Sequence, residues 1–107
     1  IFLAVMGGHV EVAKELMGGG ADIEAKEKFG ASPLHRVRGR EMAEVLIAAG
    51  GNVHARNKSG ATPLHWVVVS GKSELVRLFL EKGADIHACD DFGDTPLHNA
   101  AYEGNKE

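Results

Sequence analysis

Ser32-Pro33-Leu34-His35, Thr62-Pro63-Leu64-His65 and Thr95-Pro96-Leu97-His98 decide how this chain folds. Each tetrad stands two residues after a glycine (Gly30, Gly60, Gly93), and the three tetrads hold all three prolines of the chain. A Ser/Thr-Pro step starts a helix. The hydroxyl caps free backbone N–H groups, and the fixed φ of proline suits the first turn. The glycines recur after 30 and then 33 residues. A period in this range marks a solenoid, whose units bury their faces only against their neighbours.

Working outward from the tetrads divides the chain into repeat units at about 1–25 (partial), 26–55 (shortened), 56–88 (complete) and 89–107 (partial). In the first, Ile1 to Met6 reads as the rest of one helix and Val10 to Met17 as a second, with Gly18-Gly19-Gly20 ending it. In the second, the helix after Arg36-Val37-Arg38-Gly39-Arg40 carries Met42, Ala43, Val45, Leu46 and Ile47. This unit is three residues short between His35 and Met42, so its first helix or the following turn must lose nearly one turn. The third has one helix over Thr62 to Val69 and a turn at Ser70-Gly71-Lys72. Its second helix, Ser73 to Glu81, buries Leu75, Val76, Phe79, Leu78 and Leu80. The fourth stops after one helix. Asn57-Lys58-Ser59-Gly60 and Asp90-Asp91-Phe92-Gly93 are tight-turn sequences, with an Asx side chain closing the turn and glycine at positive φ. Glu27 departs from this pattern.

These residues resemble the ankyrin repeat. Thr62-Pro63-Leu64-His65, Gly71, Leu75-Val76, Leu78-Phe79-Leu80 and Gly83-Ala84-Asp85 fall in the family's order and spacing, and the likeness runs along all 107 residues. Departures are Val67-Val68 at a small-residue pair, the short second unit, and His54 and His87 where the family often has Asn. The resemblance implies an all-α solenoid of three to four repeats, incomplete at both ends, with β-hairpin loops projecting from the helix pairs. It also implies a concave groove lined by hairpin tips and first helices, and structural roles for His35, His65 and His98.

Composition is ordinary for a folded chain, with 44% hydrophobic and 25% charged residues, which disfavours disorder and collagen-like structure. No apolar run reaches the roughly 20 residues of a membrane span, so no membrane association is expected. The lone Cys89 permits no internal disulfide and favours a reducing compartment, cytoplasmic or nuclear. Net charge is −3, but residues 26–58 hold seven basic against three acidic groups, and residues 81–107 seven acidic against two basic. A stack with a basic and an acidic pole is expected. The missing initiator methionine and the open ends lead us to expect a piece of a longer repeat protein.

Chemistry finds little purchase. Tetrad histidines one repeat apart stand roughly 10 Å from each other, whereas metal ligands must gather within about 2.0–2.3 Å of one ion. His54 and His87 face the same difficulty, and Asp90 and Asp91 beside Cys89 disfavour a reactive thiolate. No catalytic residue, metal or cofactor is expected. Arg36, Arg38 and Arg40 lack the stacking aromatics of a nucleic-acid site, so nucleic acid is not expected either. What remains is a non-enzymatic module that binds a protein partner, through tips and groove by the family resemblance. Its contact residues are Lys28, Phe29, Arg36, Arg38, Arg56, Lys58, Ser59, Trp66, Val69, Asp91, Phe92, Asp94 and Tyr102. Ala31, Ala61 and Asp94 are expected as a further exposed row. Weak end-to-end self-association through uncapped ends is the alternative, as is a regulatory role within a multidomain protein.

Overall fold

Every Ser/Thr-Pro step does start a helix. A computed structural model describes residues 1–104, with side chains through Ala101. Among the described residues there are six α-helices: α1 (Phe2–Met6), α2 (Val10–Gly18), α3 (Arg40–Ala48), α4 (Pro63–Val67), α5 (Ser73–Glu81) and α6 (Pro96–Gly104). Two 3-10 turns, Pro33–Arg36 and Val68–Ser70, complete the set, and there is no strand among the described residues.

The elements form two layers along an axis of 41 Å, with 25 Å in each cross direction. The inner layer runs α1, the Pro33–Arg36 turn, α4 and α6, and the outer layer runs α2, α3 and α5. Each inner element touches the next, as does each outer helix. Amphipathic spacing decides which residues lie between the layers. Met42, Ala43 and Leu46 of α3 and Leu75, Leu78 and Phe79 of α5 are buried, joined by Val5, Ala13, Leu34, Leu64 and Val67 in one continuous core. Helices this short have little stability alone, so the nearest-neighbour packing holds them.

The short second unit absorbs its missing residues on the inner side. Where the third unit has α4, the Val68–Ser70 turn and a left-handed Gly71 (φ 73°), the second has only Pro33–Arg36. Val37 to Gly39 then runs extended into α3, which keeps the same nine residues as α2 and α5. The outer stack therefore keeps its pitch while the inner helix shrinks to one 3-10 turn. Two expectations need correction. The helix expected over Thr62 to Val69 gives way to 3-10 geometry after Val67, and Leu80, expected in the core, is 43% exposed. Leu80 lies on the flank of α5 turned away from α3, where no further outer helix covers it among the described residues.

Candidate interaction surface

The tips between helix pairs are built by turn chemistry repeated along the axis. In each, the backbone N–H of Glu27, Asn57 or Asp90 donates to the carbonyl four residues on (Ala31, Ala61, Asp94). The glycine of each turn donates back, closing it. Asn57 Oδ1 accepts from the N–H groups of Ser59 and Ala61, and Asp90 Oδ1 from those of Phe92 and Asp94. These are the tight turns that the Asx and glycine positions imply, at the tips of the projecting loops. Successive tips are linked: Lys58 N–H donates to Phe29 carbonyl (3.0 Å) and Asp91 N–H to Ser59 carbonyl (2.8 Å). The close approach demands glycine. A Cβ on Gly30 would lie 2.9 Å from Lys58 N, and one on Gly60 3.0 Å from Asp91 N.

The tetrad histidines lock the same joints from inside. His35 Nδ1 accepts the Ser32 N–H (3.1 Å), and Nε2 donates to Ala61 carbonyl of the next unit (2.8 Å). His65 repeats this between Thr62 N–H and Asp94 carbonyl. An N–H at one nitrogen and a carbonyl at the other require the neutral Nε2–H tautomer. Burial pushes the His35 pKa below its ordinary value, although the bond to Ala61 carbonyl works the other way. His98 repeats the contact to its Thr95 N–H (3.0 Å) and is exposed. Among the described residues, no three His, Cys, Asp or Glu side chains gather as a metal site would need. His54, His87 and Cys89 are exposed.

The surface residues fall into two groups. At the tips Lys28, Phe29, Lys58, Ser59, Asp91 and Phe92 are exposed, with Phe29 at 61% and Phe92 at 80%. The Lys28 ammonium sits 5.7 Å from the Phe29 ring centroid. On the inner face Arg36 lies over Trp66, with its guanidinium carbon 4.5 Å from the ring centroid, while His35 meets the same indole edge-on at 5.2 Å. Trp66 is thus a half-buried ledge under a cation. Val69, three residues further on, is exposed. Tyr102 belongs to α6, but its side chain lies outside the described residues.

Other predicted contact residues serve the stack itself. Arg56 Nη1 donates to Gly60 carbonyl (2.8 Å) and to Cys89 carbonyl of the next unit (2.7 Å), so it staples two tips. Arg38 is exposed, and its carbonyl holds the Lys72 ammonium. Ala31 and Ala61, expected on the surface, are buried because their carbonyls close the turns. Asp94 is half-buried for the same reason.

Sequence reasoning missed Glu27. Lacking the Asx geometry, it accepts neither the Phe29 nor the Ala31 N–H, for which no acceptor is found among the described residues, and turns to Arg36. Nε meets Oε2 at 3.1 Å and Nη2 meets Oε1 at 2.6 Å. The signal available was the departure from Asx itself, with an arginine nine residues on. A carboxylate, a guanidinium and an indole thereby form one ordered stack across two units.

Sequence comparison finds no curated protein that matches this chain. The family model described as ankyrin repeats (3 copies) matches it over residues 1–90 and again over 36–107. The paired helices, linked β-turn tips and histidine-locked joints agree with that match, and the chain belongs to the ankyrin-repeat family.

Proposed function

We propose that this chain binds a protein partner along its tip row and the Arg36–Trp66 ledge, without catalysis of its own. Ankyrin repeats are generally protein–protein interaction modules and typically non-enzymatic. The observation that carries the reading is the pair Phe29 and Phe92. Each is a large exposed aromatic on a turn whose backbone is closed from within. A hydrophobic ring held in advance loses little freedom on binding, and aromatic and arginine anchors dominate interface energetics. Lys28 and Lys58 at the tips beside Phe29 suit a partner with acidic groups near that apolar contact.

The test is affinity capture with quantitative mass spectrometry, comparing the wild-type chain with Phe29→Ala/Phe92→Ala and Lys28→Glu/Lys58→Glu. Arg56 is left intact because it bridges two tips. Both variants should keep the wild-type urea midpoint and lose the same captured proteins. An unchanged capture profile from the aromatic variant would refute the reading.

Self-association is a second reading, favoured by the exposed Leu3 (87%), Val12 (52%) and Leu16 (40%) at one end and Leu97 (76%) at the other. Charge opposes it. The first unit carries Glu11, Glu15, Asp22 and Glu24 against Lys14, so both ends are acidic around a basic middle. The two-pole picture drawn from residues 26–107 needs this correction. Sedimentation velocity decides: a monomer at high protein concentration and high salt removes this reading.

A further inference from the structure

The three tips share one backbone course, but only two of them supply every oxygen that their turns use. The N–H groups of Glu27, Asn57 and Asp90 donate to the Ala31, Ala61 and Asp94 carbonyls at 2.9, 3.0 and 2.9 Å. Gly30, Gly60 and Gly93 take φ of 80°, 77° and 80°. In the third and fourth units one side-chain oxygen accepts two further N–H groups. Asn57 Oδ1 lies 2.9 Å from Ser59 N and 3.0 Å from Ala61 N, and Asp90 Oδ1 lies 2.9 Å from both Phe92 N and Asp94 N. With the same backbone, the Phe29 and Ala31 N–H groups of the second unit converge on the same point. Glu27 does not place an oxygen there, because its carboxylate is drawn away to Arg36. Ala31 is fully buried, so matching its N–H is favourable.

Charge around this point is one-sided. The Lys28 ammonium stands 5.7 Å from the Phe29 ring centroid, Lys58 N–H holds the Phe29 carbonyl, and Lys26 Nζ reaches the Arg56 carbonyl at 3.2 Å. None of Lys26, Lys28, Arg56 and Lys58 forms an ion pair among the described residues, whereas Glu27 is matched by Arg36. Asp91 belongs to the next tip, beside Gly60. The position also lies at the surface. Asn57 and Asp90, which fill it in the other turns, are only half-buried, and Phe29 is exposed next to it.

We propose that the second tip takes a carboxylate oxygen of a protein partner between the Phe29 and Ala31 N–H groups. The partner thus completes from outside the turn that Asn57 and Asp90 complete from within. This rests on the reading of the chain as a protein-binding module and names one contact of it: an acidic side chain with apolar neighbours, the carboxylate on the two N–H groups and a neighbour on the Phe29 ring. Internal precedent sets the shape, since the planar amide of Asn57 and carboxylate of Asp90 fit the same turn. Charge selects the ionised group, because hydrogen bonds to an ionised acceptor are about twice as strong as neutral ones and the unpaired cations favour it further.

The probes are a capped five-residue peptide with one aspartate between two leucines and its asparagine counterpart, titrated by NMR into the intact isotope-labelled chain. The Phe29 and Ala31 amide protons should shift downfield saturably with the aspartate peptide, while those of Ser59, Ala61, Phe92 and Asp94 stay nearly fixed. The asparagine peptide should bind at least about fivefold more weakly at low salt, with the gap narrowing as screening increases. Glu27→Asn, which places its own oxygen on the two N–H groups, should abolish the response of both amides. Because it also removes a negative charge, attraction to net positive charge alone predicts the opposite, tighter binding. Before peptide is added, the Phe29 and Ala31 amides should exchange with solvent at least about tenfold faster than their counterparts Ser59 and Ala61. Slow exchange of both amides, no saturable shift, equal affinity of both peptides, or an undiminished response in Glu27→Asn overturns the proposal. Capture and titration fail independently. An unchanged capture profile from Phe29→Ala/Phe92→Ala beside a saturable amide response removes the aromatic tip surface only, and lost capture beside unresponsive amides removes the carboxylate contact only.

Discussion

Replacing Glu27 by Asn should be nearly neutral with Arg36 present and stabilising without it. In the wild-type chain Glu27 meets Arg36 through two oxygens, at 2.6 and 3.1 Å, with both side chains partly covered. A bidentate pair of this exposure contributes about 1 kcal/mol. The guanidinium over Trp66, 4.5 Å from its centroid, adds about 0.5–1 kcal/mol. Arg36→Ala should therefore cost about 2 kcal/mol. Glu27→Asn loses the ion pair but supplies the oxygen that Asn57 uses to accept two backbone N–H groups. At about 0.5 kcal/mol for each recovered bond, it should be nearly neutral in the wild-type chain. In the Arg36→Ala background no ion pair remains to lose, so Glu27→Asn should stabilise by about 1 kcal/mol. Urea unfolding of the four proteins, followed by circular dichroism, reads the cycle. Equal effects of Glu27→Asn in both backgrounds would refute the claim that Arg36 compensates for the missing Asx side chain.

Three further outcomes follow from the joints. His65→Ala should cost about 2–4 kcal/mol, because it strands a buried N–H and carbonyl, whereas exposed His98→Ala should cost under about 1 kcal/mol; equal losses in urea unfolding would contradict the locking role. Gly60→Ala should cost about 2–3 kcal/mol and Gly93→Ala about 1 kcal/mol, since both pay for positive φ but only Gly60 has a neighbouring tip against its missing Cβ; the gap in urea midpoints checks this. His35 has a folded pKa below its ordinary 6.5, so the folded state resists protonation. Its contribution is fully present above about pH 6.5 and is lost as pH falls from there through the lower folded value. Urea midpoints at successive pH values should show the wild type losing more stability than His35→Asn over that window.

The tetrads, the glycine turns and the outer helices were legible because their causes are local. A capping hydroxyl, a proline at the first turn and an Asx side chain act within four residues. The inner element of the second unit was not legible in form. Periodicity shows that three residues are missing, but where the chain absorbs them depends on packing against α1 and α4. Leu80 fits the core pattern of α5 and is exposed because cover for that flank must come from another element. Arg56 reads as a tip charge, yet its hydrogen bonds reach carbonyls 4 and 33 positions away. Ala31 and Ala61 read as surface because their role lies in backbone carbonyls that carry no side-chain signature. Phe29, Phe92 and Lys58 stand exposed as the register implied, and Arg36 beside Trp66 gains a partner in Glu27 that no short-range pattern announces.

The extended link from Val37 to Gly39 has a use in engineering. It shows that the chain shortens on the inner side while the outer helices and the linked tips keep their spacing. The same point should therefore admit added residues as readily as it admits their loss, since lengthening a surface connection carries only a small closure penalty. A peptide epitope or a sensor element grafted between Val37 and Gly39 would be displayed beside Trp66. It would disturb neither the tip bonds nor the histidine joints that hold the scaffold.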